Sequence, residues 1–519
     1  MSYARVIPVQ RTPLGVEGFD YLIPEELSVQ VGSFVRVPFR KGTMAGVAES
    51  ISTHSSFAHK ALPIKEILDI TFPESFLTLL AWTASRTFCS KPTVLKAWLR
   101  WVPKRHGSHI TSSVHELVSS TKTKGILKTH WVTEPEQHLI ARAKEALAKQ
   151  QRILIVVPWK IRAEHIRSAL GCDVLHSDLS DGEAFKLWRG CMNGSVPCLI
   201  TTRLGAWLAP FVDLVLLDEP ENDDHKQDEL APRYDARLML MWCHTHLGTS
   251  LETFGLTPPL HVQADAPTIP VKLFVHPFLP NGRSPIPCIQ ANTYTLLITH
   301  CSSHHPLVII HPIRGTVARP ICRDCGWRGE KQQDVPLACP TCGGTDFSKS
   351  WPGIEKLKLA WMKHEPHIPV EWRNLSNEDV DTPFSKHAMV VITDGSLLSG
   401  VTEDVRRLER CSINVRRLAD HVAAVDGTLI IQTSESLAPH VQRWLTKDGV
   451  KTFREQELQE RRMFGYPPAT RLVKILEGKH KSVTHILFPP SISEKRLIEL
   501  LTPLATSAII DLDPIAFLK

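Results

Sequence analysis

Apolar and polar side chains alternate over the first part of the chain, in the runs ARVIPV, GFDYLIP, GSFVRVPF and AGVAESI, which are punctuated by Pro and Gly. A period near two between turn formers predicts short strands, and their close succession predicts a small β-barrel-like domain over residues 1 to about 70. The period then lengthens: Phe76, Leu79, Leu80 and Thr83 in FPESFLTLLAWTASR recur at helical spacing. Between Pro103 and Trp131 the composition turns to Ser, Thr, Lys and His, with little core-forming pattern, and reads as linker. Good helix formers from Glu136 to Gln150 lead into a buried strand at Ile153 to Val157. Val212 and Leu214 to Leu217, interrupted by Asp213, read as a strand buried on both faces of a parallel sheet. PLVIIHP, HAMVVITDG and GTLIIQT repeat that pattern and predict a second layered lobe. The expected fold class is multidomain α/β.

Chemistry enters at the end of one strand. Asp218 and Glu219 follow Leu217 directly, and ligands of open α/β sheets bind outside the carboxyl ends of strands. The pair is therefore placed like the Mg2+ ligand and water-activating acid of a nucleotide hydrolase, or it is simply a solvated strand end. A second signal is stronger. Cys322 and Cys325 are answered by Cys339 and Cys342, with Gly326 and Gly343 after each pair. That spacing predicts one structural Zn2+ held tetrahedrally by four thiolates, a closed site with no catalytic role. His304, His305 and His311 lack paired acids or thiols and are expected to be surface or satisfied core residues.

Composition narrows the classes. A chain of 519 residues has room for three or more domains, and its net charge of +6 permits nucleic acid as a partner without arguing for it. Of 12 cysteines only those four form CxxC pairs, which suggests metal in a reducing compartment rather than disulfides. No signal peptide is expected at Met1 to Val9, and no apolar run approaches the roughly 18 residues of a membrane span. A cytoplasmic protein with no membrane partner is expected.

Longer blocks carry a resemblance. LHSDLSDGEAFKLW (175–188), TTRLGAWLAP (201–210), DEPE (218–221) and HKQ…PRYDAR (225–237) resemble the PriA family of replication-restart helicases, or primosomal protein N′. The family patterns there are HSxLSxxER…W, GTRSAxFAP, DEEH and YKQ…PRYxAR. FDYLIPE and VGSFVRVPFR near the start, FREQELQERRMFGYPPATRL (453–472) and a terminal DLDP continue the likeness, which covers about residues 1–105 and 131–519. The resemblance implies a 3′-DNA-end-binding domain at 1–105, a linker at 106–130 where the family's winged helix is missing, and two RecA-like helicase lobes at 131–265 and 266–434. It further implies a zinc-binding insert at 318–347 and an abbreviated C-terminal α/β domain at 435–519. Residue by residue, it implies a pocket for the nascent 3′ end made by Phe19, Asp20 and Lys65, with Arg40 where the family has Gly, either crowding the pocket or touching a phosphate. Lys226, Arg233, Tyr234 and Arg237 are implied as further DNA contacts. The family's zinc module has twice as many cysteines and a second ion; here its inner knuckle is deleted, so one zinc is expected, on a module facing single-stranded DNA and partner proteins.

The family's nucleotide motifs are what this chain lacks. GVTGSGKTE has become WVTEPEQ (131–137), although a phosphate-binding loop needs glycines, a Lys and a following hydroxyl. Glu134 and Glu136 add negative charge and Pro135 removes an N–H donor; like charges about 4 Å apart repel by about 4 kcal/mol at an effective dielectric of roughly 20. GSATPS has become FGLTPP (254–259), GTQMxxKG has become TDGSLLSG (393–400), and the arginine-finger motif QVAGRAGR is replaced by RLADHVAAVDG (417–427). Arg416 and Arg417 could substitute for the fingers only with near-atomic placement. The expectation is a degenerate, actinobacterial-like member without ATP or Mg2+, in which Asp218 and Glu219 are vestigial. It would recognise stalled forks or D-loops through branched and single-stranded DNA, hold the nascent 3′ end, and recruit primosome or helicase-loading proteins and single-stranded-DNA-binding protein. Two alternatives stay open: an active ATP-dependent 3′-to-5′ helicase with an unusual nucleotide site, and a protein-only scaffold whose fork specificity has decayed.

Overall fold

The computed structural model describes residues 1–99, 125–278, 284–300, 306–312, 320–322, 336–345, 347–349, 353–374, 380–399, 404–478 and 482–515. The N-terminal alternation folds as an antiparallel sheet of β1 (Ser2–Pro8), β2 (Phe19–Ile23), β3 (Ser33–Phe39), β4 (Gly42–Ser52) and β5 (Glu66–Thr71), in the order β2-β1-β4-β3-β5. Successive side chains point to opposite faces of a strand, and here both faces are covered. Val6, Val35 and Ala48 pack in one cluster with Tyr21 and Ile64. Their neighbours Ile7, Phe34 and Val47 pack in another, with Phe76, Leu79 and Leu80 of the helix Glu74–Arg86 and Trp98 of the helix Lys91–Trp98. Ser90 caps the second helix by accepting from the Thr93 amide, and a Pro follows in its first turn.

That second cluster does not stop at the domain edge. It runs on through Trp188, Trp207 and Phe211, so one core joins the N-terminal sheet to a first α/β lobe. The lobe is a parallel sheet of β6 (Leu127–Trp131), β7 (Ile153–Val156), β8 (Asp173–Leu175), β9 (Cys198–Thr201), β10 (Leu214–Asp218) and β11 (Ser250–Gly255), ordered β6-β11-β10-β7-β9-β8. The linker expectation at 106–130 is corrected here: residues 100–124 lie outside the described ones, but Leu127–Trp131 is an edge strand paired with β11. Leu127, Lys128 and Thr129 are exposed on it, so the sequence shows no apolar run.

The second lobe repeats the plan with β12 (Lys272–Pro277) and β13 (Leu307–His311), then β16 (Val370–Asn374), β17 (Met389–Ile392) and β18 (Thr428–Thr433), all parallel in the order β12-β18-β17-β13-β16. A two-stranded ribbon, β14 (Pro320–Cys322) and β15 (Phe347–Lys349), interrupts it. The lobe's core takes in Trp444 and Phe453, so helical packing continues past residue 434. A separate C-terminal antiparallel sheet, β19 (Arg471–Glu477), β20 (Ser482–Phe488) and β21 (Ala508–Leu512), has its own core. Among the described residues no helix is long and apolar enough to cross a membrane.

Candidate nucleic-acid interface and interlobe cleft

On the N-terminal sheet, β2 begins with Phe19 and Asp20, both half-buried. The Phe19 ring lies 5.8 Å from Phe39 at the end of β3, and the Arg40 guanidinium lies 5.6 Å from the Phe39 centroid. Arg40 has φ of 52°, the left-handed region that suits glycine, so the arginine occupies a strained hairpin position of the kind Gly fills without cost. One oxygen of Asp20 accepts a hydrogen bond from the Ser55 hydroxyl at 2.6 Å, and the other lies 3.6 Å from the Arg5 guanidinium. Ser55 is itself held by the Phe57 amide at 3.0 Å. Lys65 is exposed; the Ile64 amide before it donates to the Leu22 carbonyl, which ties the segment to β2. The Phe19–Phe39 aromatic pair can stack a base, and the oriented Asp20 carboxylate can accept a hydroxyl.

The other expected DNA contacts are engaged elsewhere. Lys226 is buried, and its ammonium donates to the Leu512 and Asp513 carbonyls at 2.5 and 2.8 Å and pairs with Asp511 at 2.7 Å. Arg233 lies 4.0 Å from the same carboxylate. Tyr234 is buried and donates to the Arg203 carbonyl, while Arg237 pairs with Asp235 and donates to the Pro220 carbonyl. These residues knit the loop after β10 to itself and to the C-terminal sheet. Lys226, Tyr234 and Arg237 would have to leave these contacts to reach a phosphate or a base.

Where the family's nucleotide site would fall, side chains of the two lobes pair with one another. Arg162, on the helix Lys160–Leu170, donates through Nε to Asp218 at 2.7 Å, pairs with Glu136 at 2.6 Å and lies 3.7 Å from Glu219. Asp218 is fully buried; burial pushes its carboxyl up to about 7 against the pull of Arg162. Burial acts on Glu219 in the same sense, but the Arg417 and Arg162 guanidiniums hold it below the usual carboxylate range. Glu219 has φ of 45°, an uncommon conformation for a side-chain-bearing residue and one that clusters at functional sites. Its neighbour Glu221 accepts from the Leu256 and Thr257 amides at 2.8 and 3.0 Å, fixing the FGLTPP turn.

From the second lobe, the helix Arg407–Ala423 brings Arg416 and Arg417. Arg416 is fully buried and donates to Thr257 Oγ1 and to the Trp444 and Pro267 carbonyls. Arg417 lies 3.7 Å from Glu219 and 3.8 Å from Asp381, with its guanidinium 4.9 Å from the Trp159 ring centroid. The WVTEPEQ turn is bound too: the Glu134 amide donates to Asp420 at 2.9 Å. Reading motifs missed Ser55, Arg5, Phe39, Arg162, Asp381 and Asp420. Ser55, Arg162 and Asp381 lie outside the motifs read in the sequence, whereas Asp420 falls within RLADHVAAVDG and Glu221 is the third acid of DEPE.

At the ribbon, the sulfurs of Cys322, Cys339 and Cys342 lie within 4.8 Å of one another. The Thr341 and Gly344 amides point at Cys339 and Cys342 sulfur, each at 3.4 Å, and Gly343 turns the chain with φ of 74°. Amide donors directed at sulfur suit thiolates, so the donor set fits a soft metal ion. Cys325 lies outside the described residues.

Comparison with known proteins bears on these sites. Residues 8–100 match the family model of the 3′DNA-binding domain (3′BD) of PriA, the stretch that holds Phe19, Asp20, Arg40 and Lys65. The Replication restart protein PriA of Rickettsia conorii is 25% identical over 42% of this chain and 37% of its own length. That of Treponema pallidum is 23% identical over 86% of this chain and 82% of its own. The chain thus covers little more than a third of the first of these relatives. Among solved structures, the DUF1998 helicase MrfA bound to DNA and AMPPNP overlaps 72% of this chain and 53% of its own, with a TM-score of 0.32 and 10% identity, a likeness too slight to argue from. With the family-model match over residues 8–100 and several relatives of one name, the chain is similar to the PriA family of replication restart proteins.

Proposed function

We propose that this protein binds branched DNA at stalled forks or D-loops, holds the nascent 3′ end at Phe19 and Asp20, and recruits loading partners without hydrolysing ATP. The observation that carries the reading is the coincidence of the 3′DNA-binding match, residues 8–100, with the Phe19–Phe39 aromatic pair and an Asp20 carboxylate already oriented by Ser55 and Arg5. A 3′ hydroxyl would donate to Asp20, while a 3′ phosphate would meet its negative charge. The two α/β lobes serve as the helicase-like frame between this domain and the C-terminal sheet. An ATP-driven helicase is the competing reading. Against it count the Arg162 guanidinium lodged between the carboxylates that a nucleotide-bound Mg2+ would need, and the Glu134 amide spent on Asp420.

One preparation of the full chain tests both halves. Forks with a recessed 3′ hydroxyl are expected to bind roughly tenfold more tightly than the same forks ending in 3′ phosphate, and Asp20→Ala should erase the difference. MgATP should leave the melting temperature unchanged. Equal affinity for the two ends would remove the end-binding claim, and DNA-stimulated ATP turnover abolished by Glu219→Gln would establish the helicase reading instead.

The ribbon cysteines support one structural zinc, with Cys325 as the fourth thiolate. Metal analysis should return one zinc per chain, and Cys339→Ser should lower that value while leaving 3′-end discrimination intact. Two ions, or none, would contradict it.

A further inference from the structure

Among the described residues, a cluster of buried charged side chains lies in the cleft between the lobes, and its contacts reach across it. Asp218, Glu219, Arg162, Asp381, Arg416, Arg417 and Asp420 are all buried. The second-lobe partners sit mainly on one helix, Arg407–Ala423, where Arg410, Arg417 and His421 are spaced by seven and four residues and Arg416 and Asp420 by four. Such intervals place each set along one face. Arg410 pairs with Asp223 at 3.0 Å, Arg417 meets Glu219 and Trp159, Arg416 binds Thr257, and Asp420 takes the Glu134 amide; all five partners belong to the first lobe.

We propose that this helix is a permanent clamp, which holds the two lobes in one closed arrangement by the chain's own side chains and independently of nucleotide. A ligand shifts a two-state equilibrium only by its differential affinity for the two states. Here the groups that a closing ligand would engage already engage each other, and an intramolecular partner is always present. Separating the lobes would withdraw Arg417 from Glu219, and a buried ion pair is lost at a large penalty when one partner is withdrawn. Such a network contributes less to overall stability than to selecting one relative position of the parts. The N-terminal sheet is fused to the first lobe through the Trp207 core, and Lys226 ties the C-terminal sheet to it. The clamp therefore presets the spacing of the whole frame. This inference concerns the cleft alone and does not rest on DNA being the ligand.

Hydrogen exchange on the full chain tests it. In the wild type, amides of Arg407–Ala423 and Glu134 should be protected equally with and without millimolar MgATP. Arg417→Gln removes the central cross-cleft cation but leaves the first-lobe pairs of Arg162 in place. It should speed exchange at both segments by roughly tenfold while the strands of each lobe stay protected. Asp420→Ala, at the other end of the stripe, should do the same at Glu134 and serves if Arg417→Gln does not fold. Nucleotide-dependent protection in the wild type, or unchanged exchange in the folded variant, would overturn the clamp.

Discussion

Replacing Trp207 by alanine should destabilise the protein by about 3–5 kcal/mol, the range for deleting a large aromatic from a packed core. Trp207 is fully buried, and its ring lies 6.0 Å from Trp98 in a near-parallel stack, 5.8 Å from Phe76, 5.8 Å from Trp188 and 6.4 Å from Phe211. Two of those neighbours belong to the N-terminal helices and two to the first lobe. The void therefore opens at a junction that no single domain can collapse to fill. The expected signature is a lower denaturant midpoint together with lost amide protection in both Glu74–Arg86 and the segment Arg203–Phe211. Phe464→Ala, at a residue 64% exposed, is the control and should change stability by no more than about 0.5 kcal/mol. A loss confined to the N-terminal domain would mean that the two units fold separately and that the shared core is only a contact.

How much of this could be read beforehand depended on whether a residue's partners lie near it along the chain or on a repeating period. β7, β10, β17 and β18 stand out as unbroken apolar runs because both faces of each are covered, and periodicity records burial directly. β6 does not stand out, because an edge strand with three exposed side chains carries no such record. The thiols of Cys322, Cys339 and Cys342 were visible as spacing, since a metal knuckle is local. The cleft was half visible. The missing glycines and lysine at WVTEPEQ carry the expectation that no triphosphate binds there, but the side chains that meet there are hidden in the sequence. Arg162 is 56 residues from Asp218, and a buried arginine on a helix looks in sequence like a solvent-facing one. The same limit explains the basic loop after β10, where Lys226, Tyr234 and Arg237 read as a surface for DNA and fold as internal ties.

Lys226→Met separates those two roles by experiment. Lys226 is 4% exposed, and its ammonium is satisfied by two carbonyls and the Asp511 carboxylate, which is itself buried on β21. Burial raises the Asp511 carboxyl, and Lys226 is the largest influence opposing that rise. With the cation gone, Arg233, at 4.0 Å, is the one basic partner left among the described residues, so the carboxylate must ionise almost unpaired or take up a proton. Breaking a buried pair from one side costs about 3–5 kcal/mol, and the cost should appear as early loss of protection in β19 and β21 before the lobes unfold. Lys226→Met combined with Asp511→Asn removes both charges and should recover part of the loss, because the penalty belongs to the orphaned carboxylate. A phosphate contact would behave differently: the single variant would keep its denaturant midpoint, and the slope of DNA binding against salt would fall by about 1. That second pattern would return the loop to the DNA surface and detach the C-terminal sheet from the frame that the lobes preset.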